Sequence, residues 1–233
     1  MGNPGDGADV HPFSFYPELI EWKLKQKSKV KSIDLRISIS ISIIIDCACL
    51  AEGVLNTINK EIISVPLDDP NFLGYRLEQM LEEKSEKGQF SENLDIYHLV
   101  IGTNSNDLFG NELWKSIKML STFRNKLVHG KIIEIFNNEN DGAMEVFWSY
   151  KIVYAYLLEK KLLDDRFSED YENFLFQDKV LEHFYKSTLN FIRVIAENVP
   201  DSAKDYVREM TYSVNKRISD KKNIKLNTDN KSS

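Results

Sequence analysis

The chain has 233 residues, of which 42% are hydrophobic and 28% charged, with a formal net charge of −6 and a pI near 5.4. This is the balance expected of a globular protein with one sizeable core or two small ones, and it excludes collagen-like and low-complexity classes. The acidity also excludes the overall basic charge of many nucleic-acid binders and leaves only a local basic patch for such a role.

Residues 1–16 hold three glycines and two prolines without periodicity and read as a flexible N-terminal arm. The opening MGNPGDGADVHP has neither a basic start nor an apolar run, so no secretory leader is expected. Its glycines follow no strand and lack the lysine of a phosphate-binding loop. A helix is expected after Pro17, carrying Leu19, Ile20, Trp22 and Leu24. Lys23, Lys25, Lys27, Lys29 and Lys31 follow at every second position. That spacing spreads the charges around a helix and suits either a solvated surface or an RNA-facing basic rim.

Residues 32–62 first read as a strand, because ISISISIII alternates. At helical spacing, however, Ile33, Ile37, Ile41, Ile44, Ala48, Ala51, Leu55, Ile58 and Ile62 form one stripe. The stripe persists for about eight turns, longer than an ordinary strand, so the segment is predicted to be a helix. Asp34, Arg36, Asp46, Glu52 and Lys60 interrupt its apolar run, which argues for a buried core element and against a membrane span. Pro66 and Pro70 end it. Cys47 and Cys49 are too few and too close for a disulfide framework, which points to a reducing, cytoplasmic setting. Two residues apart on a helix, they diverge by about 200°, so they suit core packing better than a shared metal.

A second helix is expected over 71–87. Residues 94–101 are short and apolar, and NSND at 104–107 offers a loop and an N-cap. A clear helix is predicted from about 108 to 129, stopped by Gly130. KIIEIF and AMEVFW flank NNENDG, which predicts a small β-hairpin at 131–148. Two further helices are expected over 149–164 and 173–198, with Pro200 after the second. Phe174, Phe176, Phe184, Tyr185 and Phe191 there read as core packing. The organisation is therefore one mainly α domain over 17–200, with a polar extension over 201–233 that becomes a solvated tail from about 213.

The chemistry concentrates in the helix ending FRNKLVHG. On a helical wheel, Leu113, Ile117, Leu120, Leu127 and Val128 occupy a sector about 100° wide, and Arg124 falls inside it. A permanently charged guanidinium on an apolar face needs a partner or an opening into a cleft. Glu52 and Asp46 are the candidate partners within a core. His129 sits at the helix C-terminus, where the dipole favours an imidazolium. Asn125 lies four residues before it, on the same face, and can orient the ring. Arginine offers a donor fork matched to phosphate oxygens, and histidine can move a proton to or from a ribose or leaving-group oxygen. His11, His98, His129 and His183 are scattered, without the paired spacing of a zinc site. No metal and no cofactor are therefore expected.

The run RNKLVHG at 124–130 resembles the signature of the HEPN superfamily, in which Arg and His are separated by a few residues and Asn often follows Arg. The preceding apolar helix, with Ala51-Glu52-Gly53 near its middle, also looks like the long helix packed beside the motif helix in that superfamily. The resemblance covers roughly 18–200. It implies an HEPN-like helical bundle, a homodimer with two motifs facing one composite cleft, and a metal-independent endoribonuclease of toxin–antitoxin or antiviral-defence type. It carries the family's Arg onto Arg124, its polar neighbour onto Asn125, its His onto His129 and an acidic residue onto Glu52. The expected products are 2′,3′-cyclic phosphates and 5′-hydroxyls. Lys126 and the Lys23–Lys31 run are expected to support a small basic cleft for RNA. The alternative is a non-catalytic HEPN-like module that binds a protein partner such as an antitoxin or a defence-system protein. The hairpin and the long C-terminal half depart from the smallest family members.

Overall fold

The structure is a computed structural model, and it describes residues 12–64, 84, 89–130, 135–137, 144–146, 149–163, 175–212, 214 and 216. The described chain is mainly helical. A 3₁₀ turn, Pro12–Phe15, leads into α1 (Tyr16–Lys27), followed by α2 (Ile33–Ser64), α3 (Phe90–Ile101) and α4 (Ser105–Val128). After two short strands come α5 (Lys151–Glu159), α6 (Asp178–Glu197), a 3₁₀ turn (Asp201–Ala203) and α7 (Lys204–Met210). The strands, β1 (Ile135–Asn137) and β2 (Met144–Val146), pair antiparallel with Ile135 opposite Val146. The helix expected over 71–87 lies outside the described residues, apart from helical Lys84. So do the tip of the expected hairpin, Phe174 and the chain beyond 216.

Helix α2 is the axis of the fold and packs against α1, α3, α4 and α6. Of the nine stripe residues, Ile44, Ala48, Ala51, Leu55, Ile58 and Ile62 are buried. Neighbours on all sides widen the buried arc, so Ile43, Cys47, Leu50 and Val54 are also fully buried. Each such aliphatic side chain stabilises the fold by roughly 1.5–3 kcal/mol through lost water contact. Ile33, by contrast, is exposed, because the first turns of α2 extend past its partners. By length and composition alone, Ile33–Ile63 is long and apolar enough to cross a membrane, and half of its most apolar window is buried within the chain.

The interhelical space is closed by polar ties as well as apolar ones. Tyr97 on α3 donates its hydroxyl to the Ile195 carbonyl of α6 at 2.7 Å. Asn59 Nδ2 on α2 donates to the Asn93 carbonyl on α3 at 2.7 Å. The lysine run that begins in α1 divides: Lys27 is buried, donating to the Phe176 carbonyl at 2.7 Å and pairing with Asp178 at 2.8 Å. Lys23 pairs with Asp46 at 2.5 Å and also donates to Ser42. Only Lys25, Lys29 and Lys31 remain exposed. Burial raises the Asp46 pKa while Lys23 pulls it down.

Packing extends beyond both expected domain edges. Phe13 is buried against α2, where a Cβ on Gly53 would come within 3.3 Å of it. At the other end, Ala203, Val207, Met210 and Val214 join the main core. Apolar spacing within a polar segment carries this extension: positions 203, 207, 210 and 214 fall on one helical face.

Candidate functional site: a cleft between α2, α3 and α4

Helix α4 is fixed at both ends. Asn104 caps it by accepting the backbone N–H groups of Asn106 and Asp107, both at 3.1 Å. Gly110 (φ 68°, ψ 161°) kinks it after one turn. At the far end His129 is the C-cap, its N–H donating to the Asn125 carbonyl at 3.1 Å. Gly130 then turns left-handed at φ 60°, a conformation that favours glycine.

Beyond the kink, the buried face of α4 consists of Ser116, Ile117, Met119, Leu120 and Phe123, and Phe109 is buried before it. This centre is rotated from the sector expected from sequence, because Phe123 rather than Val128 faces α6 and the aromatic core around Phe176 and Phe184. Val128 is instead 54% exposed. The rotation places Arg124 at the edge of the core face, where its side chain keeps 28% exposure.

Arg124 Nη2 meets Glu52 Oε2 of α2 at 3.1 Å, and its Nη1 donates to Asn125 Oδ1 at 2.8 Å. Of the two partners anticipated for the arginine, Glu52 takes the role and Asp46 is engaged by Lys23. The buried Nε of Arg124 has no hydrogen-bond partner. Two of the five guanidinium N–H donors are thus committed by these bonds, and the fork retains capacity for an anion. Burial pushes the Glu52 pKa above the usual carboxylate value, against the lowering effect of Arg124. Neighbouring Cys49 is also raised, chiefly by burial and then by the Glu52 charge.

Glu52, Arg124 and Asn125 line an open cleft of 650 Å³. Glu52 and Asn56 come from α2, Gln89, Phe90, Ser91 and Asn93 from the start of α3, and Trp114, Lys118, Ser121, Thr122, Arg124, Asn125 and His129 from α4 and its cap. Four of the five anticipated site residues, Glu52, Arg124, Asn125 and His129, therefore meet in one place. Lys126 does not line the cleft, since it lies off the cleft-facing side of α4. The Lys23–Lys31 run does not line it either; the lysine that does is Lys118.

Lys118, Trp114, Ser121 and Asn56 were missed from sequence, although the signal was present. Positions 114, 118, 121, 125 and 129 follow the three- and four-residue spacing of a single helix face. Asn56 lies one turn beyond Glu52 on α2. Among the described residues, no three His, Cys, Asp or Glu side chains converge on a metal position. The chemistry available is anion binding by Arg124 and Lys118, proton transfer at exposed His129, and amide hydrogen bonding around both. No family model, no curated protein and no solved structure matches the chain.

Proposed function

We propose that the protein is a metal-independent endoribonuclease of the HEPN type, acting as a homodimer on RNA. The observation that supports this reading is the convergence of Arg124, Asn125 and His129 on one open cleft, with Glu52 against the guanidinium. The nucleophile is the 2′-hydroxyl of the RNA. Its oxygen bonds to the adjacent phosphorus, the bond from phosphorus to the 5′-oxygen breaks, and a 2′,3′-cyclic phosphate and a 5′-hydroxyl result. One proton leaves the 2′-hydroxyl and one reaches the leaving 5′-oxygen; His129 of one copy carries one of these transfers and His129 of the second copy carries the other. Arg124 binds the phosphate and stabilises its developing charge. Asn125 and Glu52 hold the guanidinium in position, and Lys118 adds positive charge to an otherwise acidic chain. A second copy of the motif completes the cleft. Such an activity fits a cytoplasmic toxin or antiviral-defence effector restrained by an antitoxin or a defence-system protein.

One observation favours the other reading, a non-catalytic module that binds a protein partner. Phe15, just before α1, and Leu19 and Trp22 within it recur at helical spacing and are all exposed, an apolar stripe of the kind that docks against another protein. Induced expression separates the two. A ribonuclease fragments bulk RNA and arrests growth, and the His129→Ala form does neither. Growth arrest by both forms, or by neither while a partner is still captured, rejects the nuclease reading.

A further inference from the structure

The phosphate-handling groups occupy only one wall of the cleft. The wall toward the start of α4 is aromatic: Trp114 and Phe90 both line it. Both rings are held in place by aromatic neighbours. Phe109 stacks on Trp114 with centroids 6.2 Å apart and planes 22° apart. Phe109 in turn contacts Phe191 at 5.1 Å, and Phe191 contacts Phe90 at 5.8 Å. An indole braced in this way presents a flat apolar surface with little entropy left to lose on binding. Asn56 also lines the cleft, although its Oδ1 is buried beneath the surface without a hydrogen-bond partner. Trp114 and Lys118 are one turn apart on the same face of α4 as Asn125 and His129. The cleft volume is also within the range that encloses a small organic ligand. An aromatic surface and cations along one groove match two parts of a nucleotide: base face and phosphate.

We infer that Trp114 is a specificity-determining residue that stacks a nucleobase beside the phosphate held by Arg124 and Lys118. The inference rests on the ribonuclease reading for its biological substrate, but it concerns binding alone. Every base has a π-face, so stacking on Trp114 tolerates any of the four bases and distinguishes a nucleotide from a bare sugar phosphate.

The test compares adenosine 5′-monophosphate with ribose 5-phosphate, which lacks the base, by calorimetric titration of the full chain. Wild type should bind the nucleotide at least about fivefold more tightly, the lower end of what base–aromatic stacking supplies. Trp114→Ala should bring that ratio close to one and leave ribose 5-phosphate affinity unchanged, which also shows that the cleft is still folded. Trp114→Phe should keep most of the ratio. Arg124→Ala should weaken both probes alike and preserve the ratio. Equal affinities in wild type, a ratio that survives in Trp114→Ala, or binding of neither probe overturns the inference. Loss of the ratio in Trp114→Ala from a protein that cuts no RNA would uphold the base subsite and reject the nuclease reading. RNA cleavage without any base-dependent ratio would do the reverse.

Discussion

At the residue scale, Arg124 and Glu52 define each other. Each is only partly buried, so their ion pair is a positioning contact at a cleft edge rather than a large stabiliser. Burial alone drives the Glu52 pKa upward and Arg124 restrains it. Arg124→Met should therefore raise the Glu52 pKa further, as read by carboxyl carbon chemical shifts over a pH titration, and an unchanged value would mean that the pair is not formed. A raised carboxyl pKa also has a consequence for stability. The folded chain binds that proton more tightly than the unfolded one, so the contribution of Glu52 is fully present below the ordinary carboxylate pKa and is lost as pH rises through the shifted value. Glu52→Gln should flatten this part of the stability–pH curve in urea denaturation. Arg124→Lys keeps the charge and loses the fork, so it should preserve the fold and lower RNA cleavage by about tenfold or more. Full activity in that variant would show that a point charge suffices.

At the scale of single elements, α4 was largely legible in the sequence and α2 nearly so. The Asn104 cap, the Gly130 stop and the stripe from Ile44 to Ile62 all follow from local chemistry that the fold leaves unaltered. The exact buried face of α4 was not legible. Five apolar positions from Leu113 to Val128 suggested a sector containing Val128, but the aromatic contacts of Phe123 with α6 rotate the helix away from it. That choice depends on a partner more than fifty residues away, which no local periodicity specifies. Both ends of α4 can be tested. Asn104→Ala removes the acceptor for two backbone N–H groups and should cost about 1 kcal/mol in chemical denaturation. Gly130→Ala forces a side chain into left-handed backbone and should also cost about 1 kcal/mol, with Gly130→Asn costing less. An unchanged melting temperature for Gly130→Ala would contradict the observed turn.

At the scale of the whole molecule, a buried polar chain ties three helices together on the side of α4 away from the cleft. Ser116 of α4 and His183 of α6 both meet the Tyr156 hydroxyl of α5, at 2.7 and 2.6 Å. Neither residue carried a sequence signal, because the contact joins positions far apart in the chain. Burial, and then Lys160 and Lys186, lower the His183 pKa. The unfolded chain accepts that proton more readily, so stability holds above the ordinary histidine pKa and falls as pH drops through it. Denaturant midpoints should fall between about pH 7.5 and about pH 5, and His183→Gln should reduce that fall. Identical slopes in the two proteins would show that His183 is not the titrating group. The same scale also holds what sequence could not supply for the site. Glu52 and Arg124 lie 72 residues apart, and only the packing of α2 on α4 brings them to 3.1 Å.

The proposed function requires that His129 and Arg124 cut RNA without a metal. Total RNA incubated with the purified protein in excess EDTA, beside the His129→Ala form, tests it most directly. Wild type alone should cleave, leaving 2′,3′-cyclic phosphate ends. Intact RNA in both samples, or equal cleavage in both, would contradict it.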